Sequence, residues 1–417
     1  MIAFKSIFIL SLVLSIHGYG FEEFQRLQAS MRPRTHQSGH PVVLVPGFGA
    51  SQIEAKLTGK VSRPHYFCSQ KTSEFFDLWL NLKELTQPAI ACFVDNMRLV
   101  FNESSGISEN SPGVETRIPD SVANIEFVDK SRMWKSAYFS HIIENLVKWG
   151  YKKNKDIVAA PYDWRRAPHE IHDFYATLRT KIEIAYNYNG YKPVVVIGHS
   201  MGNPFLHYFY TNMVSQAWKD KFIKSHVSLG APWGGSVQIV RLYSTGYNLN
   251  NFRFILAPNT LRPMERSFTS SSVLFPSKRV WSQSEVFAQN DDKNYTVANI
   301  NEFFTDIGYP LGMAQYNATR YASAVNFDDP GVKVECIFGT QIATPERLVW
   351  KSGVFGKSFP NNPPTTINGD GDGTVNIKSL EVCKRWKRTV AHDLKGADHM
   401  SILTDQRTID LLKEILF

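Results

Sequence analysis

The stretch Val194-Val195-Val196-Ile197-Gly198-His199-Ser200-Met201-Gly202 decides the fold. Four apolar residues in a row, without alternation, make a strand buried on both faces. They run directly into Gly198-His199-Ser200-Met201-Gly202, which fits G-x-S-x-G, and helical spacing follows over 202–214. Strand, G-x-S-x-G and helix in that order form a nucleophile elbow. The serine sits on a sharp turn, and side chains at the flanking glycines would strike the neighbouring strand and helix. The helix amino terminus beneath the serine favours negative charge. Pro204 is tolerated in the first turn, where N–H groups have no intrahelical acceptor. Ser200 is the candidate nucleophile; the structural alternative is a glycine turn that happens to hold a serine.

The flanking sequence repeats the same rhythm. Pro41-Val42-Val43-Leu44-Val45 is a buried strand ended by the turn Pro46-Gly47-Phe48-Gly49. Residues 133–149 place Phe139, Ile142, Ile143, Leu146 and Trp149 at helical spacing, with Gly150 as the stop. Residues 156–160 form a short strand, and Ile171, Phe174, Leu178, Ile182 and Ala185 mark a helix ending near Gly190. Strands at 226–229, 332–338 and 389–394 and a closing helix at 408–415 complete the series. Apolar strands alternating with helices indicate a parallel sheet covered on both faces. Two stretches break the rhythm, from about 57 to 116 and from about 236 to 329, and are read as insertions on an α/β core.

A serine hydroxyl needs a base, and the base needs an acid to orient it; in α/β-hydrolases the chain order is Ser, Asp or Glu, His. Asn368-Gly369-Asp370-Gly371-Asp372-Gly373-Thr374-Val375 is a turn presenting a carboxylate, with Asp372 preferred to Asp370. It lacks the position-twelve glutamate and flanking helices of an EF-hand, so no metal site is expected. Gly396-Ala397-Asp398-His399-Met400, just before the last helix, offers His399 as the base. His392 is the competing histidine, in a strand where packing explains it. The oxyanion calls for backbone donors: the Met201 N–H and an N–H from the turn after the first strand, Phe48 ahead of Gly47.

The amino end is an address. Residues 1–20 carry one early lysine, the eleven-residue apolar run 6–16 and small residues near a cleavage point, which together read as a secretory signal peptide too short to span a membrane. The sequons at Asn102, Asn294 and Asn317 agree with that route. The four cysteines are then disulfide candidates with three pairings open; Cys68–Cys92 plus Cys336–Cys383 is the simplest. Forty-six basic against 38 acidic residues leave a net charge of +8. The cluster Lys384-Arg385-Trp386-Lys387-Arg388 is too short for a nucleic-acid reader, so no nucleic-acid partner is expected, whereas an anionic lipid surface fits the net charge. Twenty-eight Phe, nine Trp and seventeen Tyr must be buried or face something apolar. Phe75-Phe76-Asp77-Leu78-Trp79-Leu80 reads either as core or as an element inserted into a lipid interface. Trp164 and Trp233 read as packing near the site.

Several segments, in order along nearly the whole chain, resemble the lecithin:cholesterol acyltransferase family, and most closely its lysosomal phospholipase A2 branch. They are Val43-Leu44-Val45-Pro46-Gly47, Glu54-Ala55-Lys56-Leu57, Trp79-Leu80-Asn81-Leu82, Ala160-Pro161-Tyr162-Asp163-Trp164-Arg165, His199-Ser200-Met201-Gly202-Asn203, Ser228-Leu229-Gly230-Ala231-Pro232-Trp233-Gly234-Gly235 and Gly369-Asp370-Gly371-Asp372-Gly373-Thr374-Val375. The resemblance implies an α/β-hydrolase core (21–56, 117–235 and 330–417), a membrane-binding insertion with a disulfide loop (57–116) and a cap (236–329) with a lid at about 236–261. It implies a triad of Ser200, Asp372 and His399 and an oxyanion hole at Phe48 and Met201. It also implies Phe75, Phe76, Trp79 and Leu80 as membrane-binding residues.

The activity implied is calcium-independent, cofactor-free cleavage of a glycerophospholipid acyl ester through an acyl-serine. The acyl group passes to water or to a lipid alcohol: ceramide in the lysosomal branch, sterol in the plasma branch. The surroundings implied are a phospholipid membrane or lipoprotein surface, in the lysosomal lumen or outside the cell, with no obligate protein partner. One departure is visible. Position 48 is Phe, whereas the mammalian lysosomal branch has Asp in the matching turn, so the backbone N–H survives and a carboxyl is lost. A non-catalytic lipid-binding protein on the same fold would show a broken triad; here all three members have candidates.

Overall fold

The apolar runs become one six-stranded, all-parallel sheet. Its strands are β1 (Val42–Val45), β2 (Ile157–Ala159), β3 (Val194–His199), β4 (Ile223–Leu229), β5 (Val334–Thr340) and β6 (Thr389–Lys395), in spatial order β6-β5-β4-β3-β1-β2. The computed structural model describes residues 39–81, 85, 88–132, 136–247, 258–320, 327–352 and 359–417. The chain divides into Met1–Gly39 and His40–Phe417, and the architecture belongs to the second unit. The expected signal peptide lies outside the described residues, as does the middle of the expected lid.

Period-two alternation, with a core on each face, shows why β1 and β3 are apolar at every position along their length but the last two of β3. Val43, Val45, Val194 and Val196 face one core and Val42, Leu44, Val195 and Ile197 the other, all fully buried. Each such side chain contributes roughly 1.5–3 kcal/mol through burial. Helix α1 (Ser140–Lys148) covers the second face with α4 (Gln406–Leu416). Helices α2 (His172–Tyr188) and α3 (Gly202–Tyr208) cover the first. Helix α1 starts later than its periodicity suggests: the Ser136 carbonyl and the Tyr138 N–H are already engaged with Val128 and Glu126, which holds the chain extended up to Phe139. The helix expected over 202–214 runs from Gly202 to Met213, its last turn, Phe209–Met213, wound wider than an α-helix, and Val214 is already extended.

Topology positions the site. The chain leaves β1, forms β2 at the sheet edge, then returns to β3 on the other side of β1. The β1 and β3 connections therefore diverge and leave a crevice at their carboxyl ends, where open α/β sheets bind ligands.

Smaller sheets lie outside the six-stranded one, and their pairings run across the borders expected at 57 and 330. Ile53–Leu57 pairs with Phe76–Trp79 and Val114–Arg117, so this strand is shared with the stretch expected to begin only at 57. Likewise Ala288–Gln289 pairs with Thr344–Val349, which pairs in turn with Thr365–Gly369. The cap sheet thus draws on residues assigned in advance to the core after 330. Hydrogen bonds between strands distant in sequence cut across any division made on the linear chain.

The first insertion is fastened by a fully buried arginine. Arg165 pairs with Asp163 and donates to the Met97 carbonyl at 3.1 Å and to Asn110 Oδ1 at 2.9 Å. Burial alone would raise the Asp163 pKa, but Arg165 and Arg166 outweigh it and hold the carboxylate below its ordinary value. Cys68 is bonded to Cys92 and Cys336 to Cys383, and no described cysteine is free. Asn102, Asn294 and Asn317 are all exposed.

Candidate active site

Ser200 has φ +52°, the left-handed turn that an elbow requires. A Cβ at Gly202 would come within 2.6 Å of the Pro46 carbonyl, and one at Gly47 within 2.8 Å of the Ser200 Cβ. The elbow and the turn after β1 are pressed together, and only glycine permits it. From the other side, Asn203 Nδ2 donates to the Ser200 and Leu229 carbonyls at 3.0 and 3.1 Å, and His226 Nε2 donates to Asn203 Oδ1 at 3.0 Å.

The three residues expected to meet do meet, although they lie as much as 199 positions apart. Ser200 Oγ is 2.9 Å from His399 Nε2, and His399 Nδ1 is 2.7 Å from Asp372 Oδ2. The other Asp372 oxygen accepts the N–H groups of Thr374 at 3.0 Å and Val375 at 2.7 Å. That leaves the carboxylate one orientation, aimed at the imidazole. Burial opposes charge on His399, but the adjacent Asp372 carboxylate, with Asp398 beyond it, overrides this and raises its pKa above the ordinary histidine value.

The competing residues have other work. Asp370 Oδ1 accepts from the Gln341 and Gly371 N–H groups, closing the turn. His392 bonds Glu335 Oε2 at 2.9 Å on edge strand β6.

The structure also separates the oxyanion candidates. The Gly47 N–H donates to Tyr138 Oη at 3.0 Å, so the runner-up donor is spent. The Phe48 and Met201 N–H groups carry no acceptor among the described residues. Four more contacts hold this turn. Tyr162 Oη donates to the Pro46 carbonyl, Trp79 Nε1 to that of Gly49 and Trp164 Nε1 to that of Ser51, while Asn124 Oδ1 accepts from the Gln52 N–H. The Phe48 ring stacks obliquely on Trp164, with centroids 4.8 Å apart.

Trp79 therefore corrects the sequence reading. It is only 6% exposed, packs on Trp164 and Phe93, and braces the turn, so it does not face lipid. Its place on a strand paired to Ile53–Leu57 turns the ring inward. Phe75, Phe76 and Leu80 are half-buried, with the Arg117 guanidinium 4.2 Å over the Phe75 ring. The exposed apolar residues of this region lie upstream: Val61 is 97% and Tyr66 85% exposed, with Phe67 beside them. Trp164 and Trp233 are both packing residues, as expected; Trp233 lies against Trp386. Tyr138, Asn203 and His226 were missed. Asn203 stands in the elbow's own helix and could have been read as a cap, but nothing local marks the other two.

A parallel sheet with a serine elbow, a hydrogen-bonded histidine and aspartate and two free N–H groups defines a serine-type α/β-hydrolase. The comparisons then give its family. The model for lecithin:cholesterol acyltransferase matches residues 75–329 and 313–406, and the chain belongs to that family. It is similar to human lysosomal phospholipase A and acyltransferase, at 40% identity over 383 residues, covering 90% of each chain. It is also similar to mouse phosphatidylcholine-sterol acyltransferase, at 34% identity over 394 residues, covering 92% of this chain and 87% of the relative.

Proposed function

We propose that this protein is a phospholipase A and lipid O-acyltransferase working by an acyl-serine mechanism. The observation that carries it is the relay from Ser200 through His399 to Asp372, set against the free Phe48 and Met201 N–H groups. Ser200 Oγ attacks the acyl carbonyl of a glycerophospholipid as its proton passes to His399 Nε2. Asp372 stabilises the imidazolium, and the two N–H groups receive the oxyanion. The bond between the acyl carbon and the glycerol oxygen then breaks, and the departing lysophospholipid oxygen takes the proton from His399. Water or a lipid alcohol next gives its proton to His399 and attacks the acyl-serine, which releases the acid or the new ester and restores Ser200.

The substrate class rests on the likeness to the lysosomal phospholipase A and acyltransferase of mammals, and ceramide is the acceptor favoured by that likeness. Sterol is the second reading, from the slightly more distant sterol acyltransferases. The reaction is taken to be calcium-independent. The setting is the secretory pathway, in the lysosomal lumen or outside the cell, for which two disulfides are suited. Among the described residues no helix is long and apolar enough to cross a membrane. Contact with an anionic phospholipid or lipoprotein surface is assigned to Val61, Tyr66 and Phe67 with the half-buried Phe75, Phe76 and Leu80.

The test is mass spectrometry of products from phosphatidylcholine liposomes holding ceramide or cholesterol, with and without a calcium chelator. Acyl-ceramide formation that survives the chelator and vanishes in Ser200→Ala is the expected result. Turnover by Ser200→Ala would overturn the mechanism, and exclusive acylation of cholesterol would replace the acceptor.

A further inference from the structure

Tyr138 and His199 are both buried, at 5% and 1% exposure, and neither belongs to the triad. They join two loops that the triad leaves unconnected. The Gly47 N–H donates to Tyr138 Oη at 3.0 Å, Tyr138 Oη bonds His199 Nδ1, and His199 Nε2 lies 2.8 Å from the backbone carbonyl of His399. The direction of every link is forced. A carbonyl only accepts, so His199 Nε2 carries the hydrogen. In the neutral ring Nδ1 then has a lone pair, which takes the Tyr138 O–H, and the phenol oxygen in turn takes the Gly47 N–H. Burial, reinforced by His399, lowers the His199 pKa to about 3, so the ring stays neutral. It therefore places no like charge beside His399, 5.0 Å away between ring centroids, when that ring becomes an imidazolium.

We propose that Tyr138 and His199 form a single hydrogen-bonded strut that sets the oxyanion turn and the His399 loop at a fixed separation across the elbow. Neither touches the reacting ester; both are positioning residues. An apolar pair of the same size would fill the space but leave the buried Gly47 N–H and His399 carbonyl without partners, which is unfavourable. A fully satisfied buried chain instead fixes one geometry. The strut rests on the acyl-transfer reading above, because it acts through Phe48 and His399.

The test uses hydrolysis of a soluble short-chain ester by the whole protein, with active sites counted by a fluorophosphonate and Tm measured alongside. Tyr138→Phe removes one oxygen. His199→Gln keeps a donor towards the His399 carbonyl and loses the tyrosine, while His199→Asn keeps the tyrosine and loses the carbonyl. Either His199 substitution can stand in for Tyr138→Phe should that variant not fold. Each is expected to lower kcat per titrated site by about 10- to 100-fold, the scale of a 1 Å misplacement, with KM within about twofold. Tyr138→Phe combined with His199→Gln is expected to be no worse than the poorer single variant, because one strut breaks only once. If Ser200 of the unaltered protein resists the fluorophosphonate, the acyl-transfer reading fails and the strut with it. If Ser200 is labelled but kcat per titrated site is unchanged in Tyr138→Phe, or if the losses multiply in the double variant, the strut alone is overturned.

Discussion

At the scale of the residue, the chemistry turns on His399 being held ready but not overcharged. Its pKa is raised by Asp372 and Asp398 against the effect of burial. A base must be deprotonated to act, so kcat/KM for a soluble ester should fall on the acid side with an apparent pKa above 6.5, the ordinary value for histidine. Asp372→Asn removes the main cause, so its acid limb should move to lower pH while kcat drops by about 10³–10⁴-fold. A limb that does not move would show that some other group titrates. His392 supplies the control. It is engaged with Glu335 on the sheet edge, and His392→Ala should hydrolyse the ester at a near-normal rate. The triad was legible in the sequence because each member sits in a short turn of small residues after a strand, where the polar group must be accommodated at a strand end. Tyr138 was not legible: it lies 61 positions from His199 and directly before an ordinary amphipathic helix.

At the scale of the element, the first insertion has two parts with different tasks. The strand Phe76–Trp79 supports the site, since the Trp79 indole braces the turn that carries the Phe48 N–H. The upstream segment with Val61 and Tyr66 is exposed. Trp79→Ala should therefore cost about 3–5 kcal/mol of stability and lower soluble-ester hydrolysis and liposome turnover together. Tyr66→Ser should weaken liposome association and leave soluble-ester hydrolysis nearly unchanged. Equal effects of Tyr66→Ser in the two assays would sink the division. The aromatic hexapeptide reads from sequence as either core or interface, and Trp79 falls on the core side. What the one-dimensional pattern could not supply was the partner strand Ile53–Leu57, which turns Trp79 inward and leaves Phe75 and Phe76 only half-covered.

At the scale of the whole molecule, buried titratable groups pull stability in opposite directions with pH. Burial lowers His199 and His226 to about 3, so between about pH 6.5 and 3 the unfolded chain binds protons that the folded chain refuses, and stability falls with falling pH. Glu265 works the other way. Burial raises its pKa well above the carboxylate range, against the Tyr247 N–H bond and the nearby Arg266. Its contribution is complete below about pH 4.5, the ordinary value, and is lost as pH rises through the folded-state pKa. Glu265→Gln should therefore match the unaltered protein in Tm near pH 4.5 and exceed it near pH 7.5. An equal difference at both values would rule out a titration at Glu265. The densest basic run has a definite place in the sheet. The basic run 384–388 sits at the amino end of β6, whereas Ser200 follows the carboxyl end of the parallel strand β3, so this run cannot press the site onto a membrane.

By itself the sequence determined the parallel α/β sheet, the elbow, the order of the triad residues and the two stretches that break the strand–helix rhythm. All of these are written in local patterns: uninterrupted apolar runs, helical spacing, and glycines where the backbone must turn. Only the tertiary structure decided which N–H after β1 is free, which aromatics face inward and which strands pair across the chain. Those depend on hydrogen bonds and strand pairings between residues far apart in the chain, and no local pattern records which partner a polar tip will find.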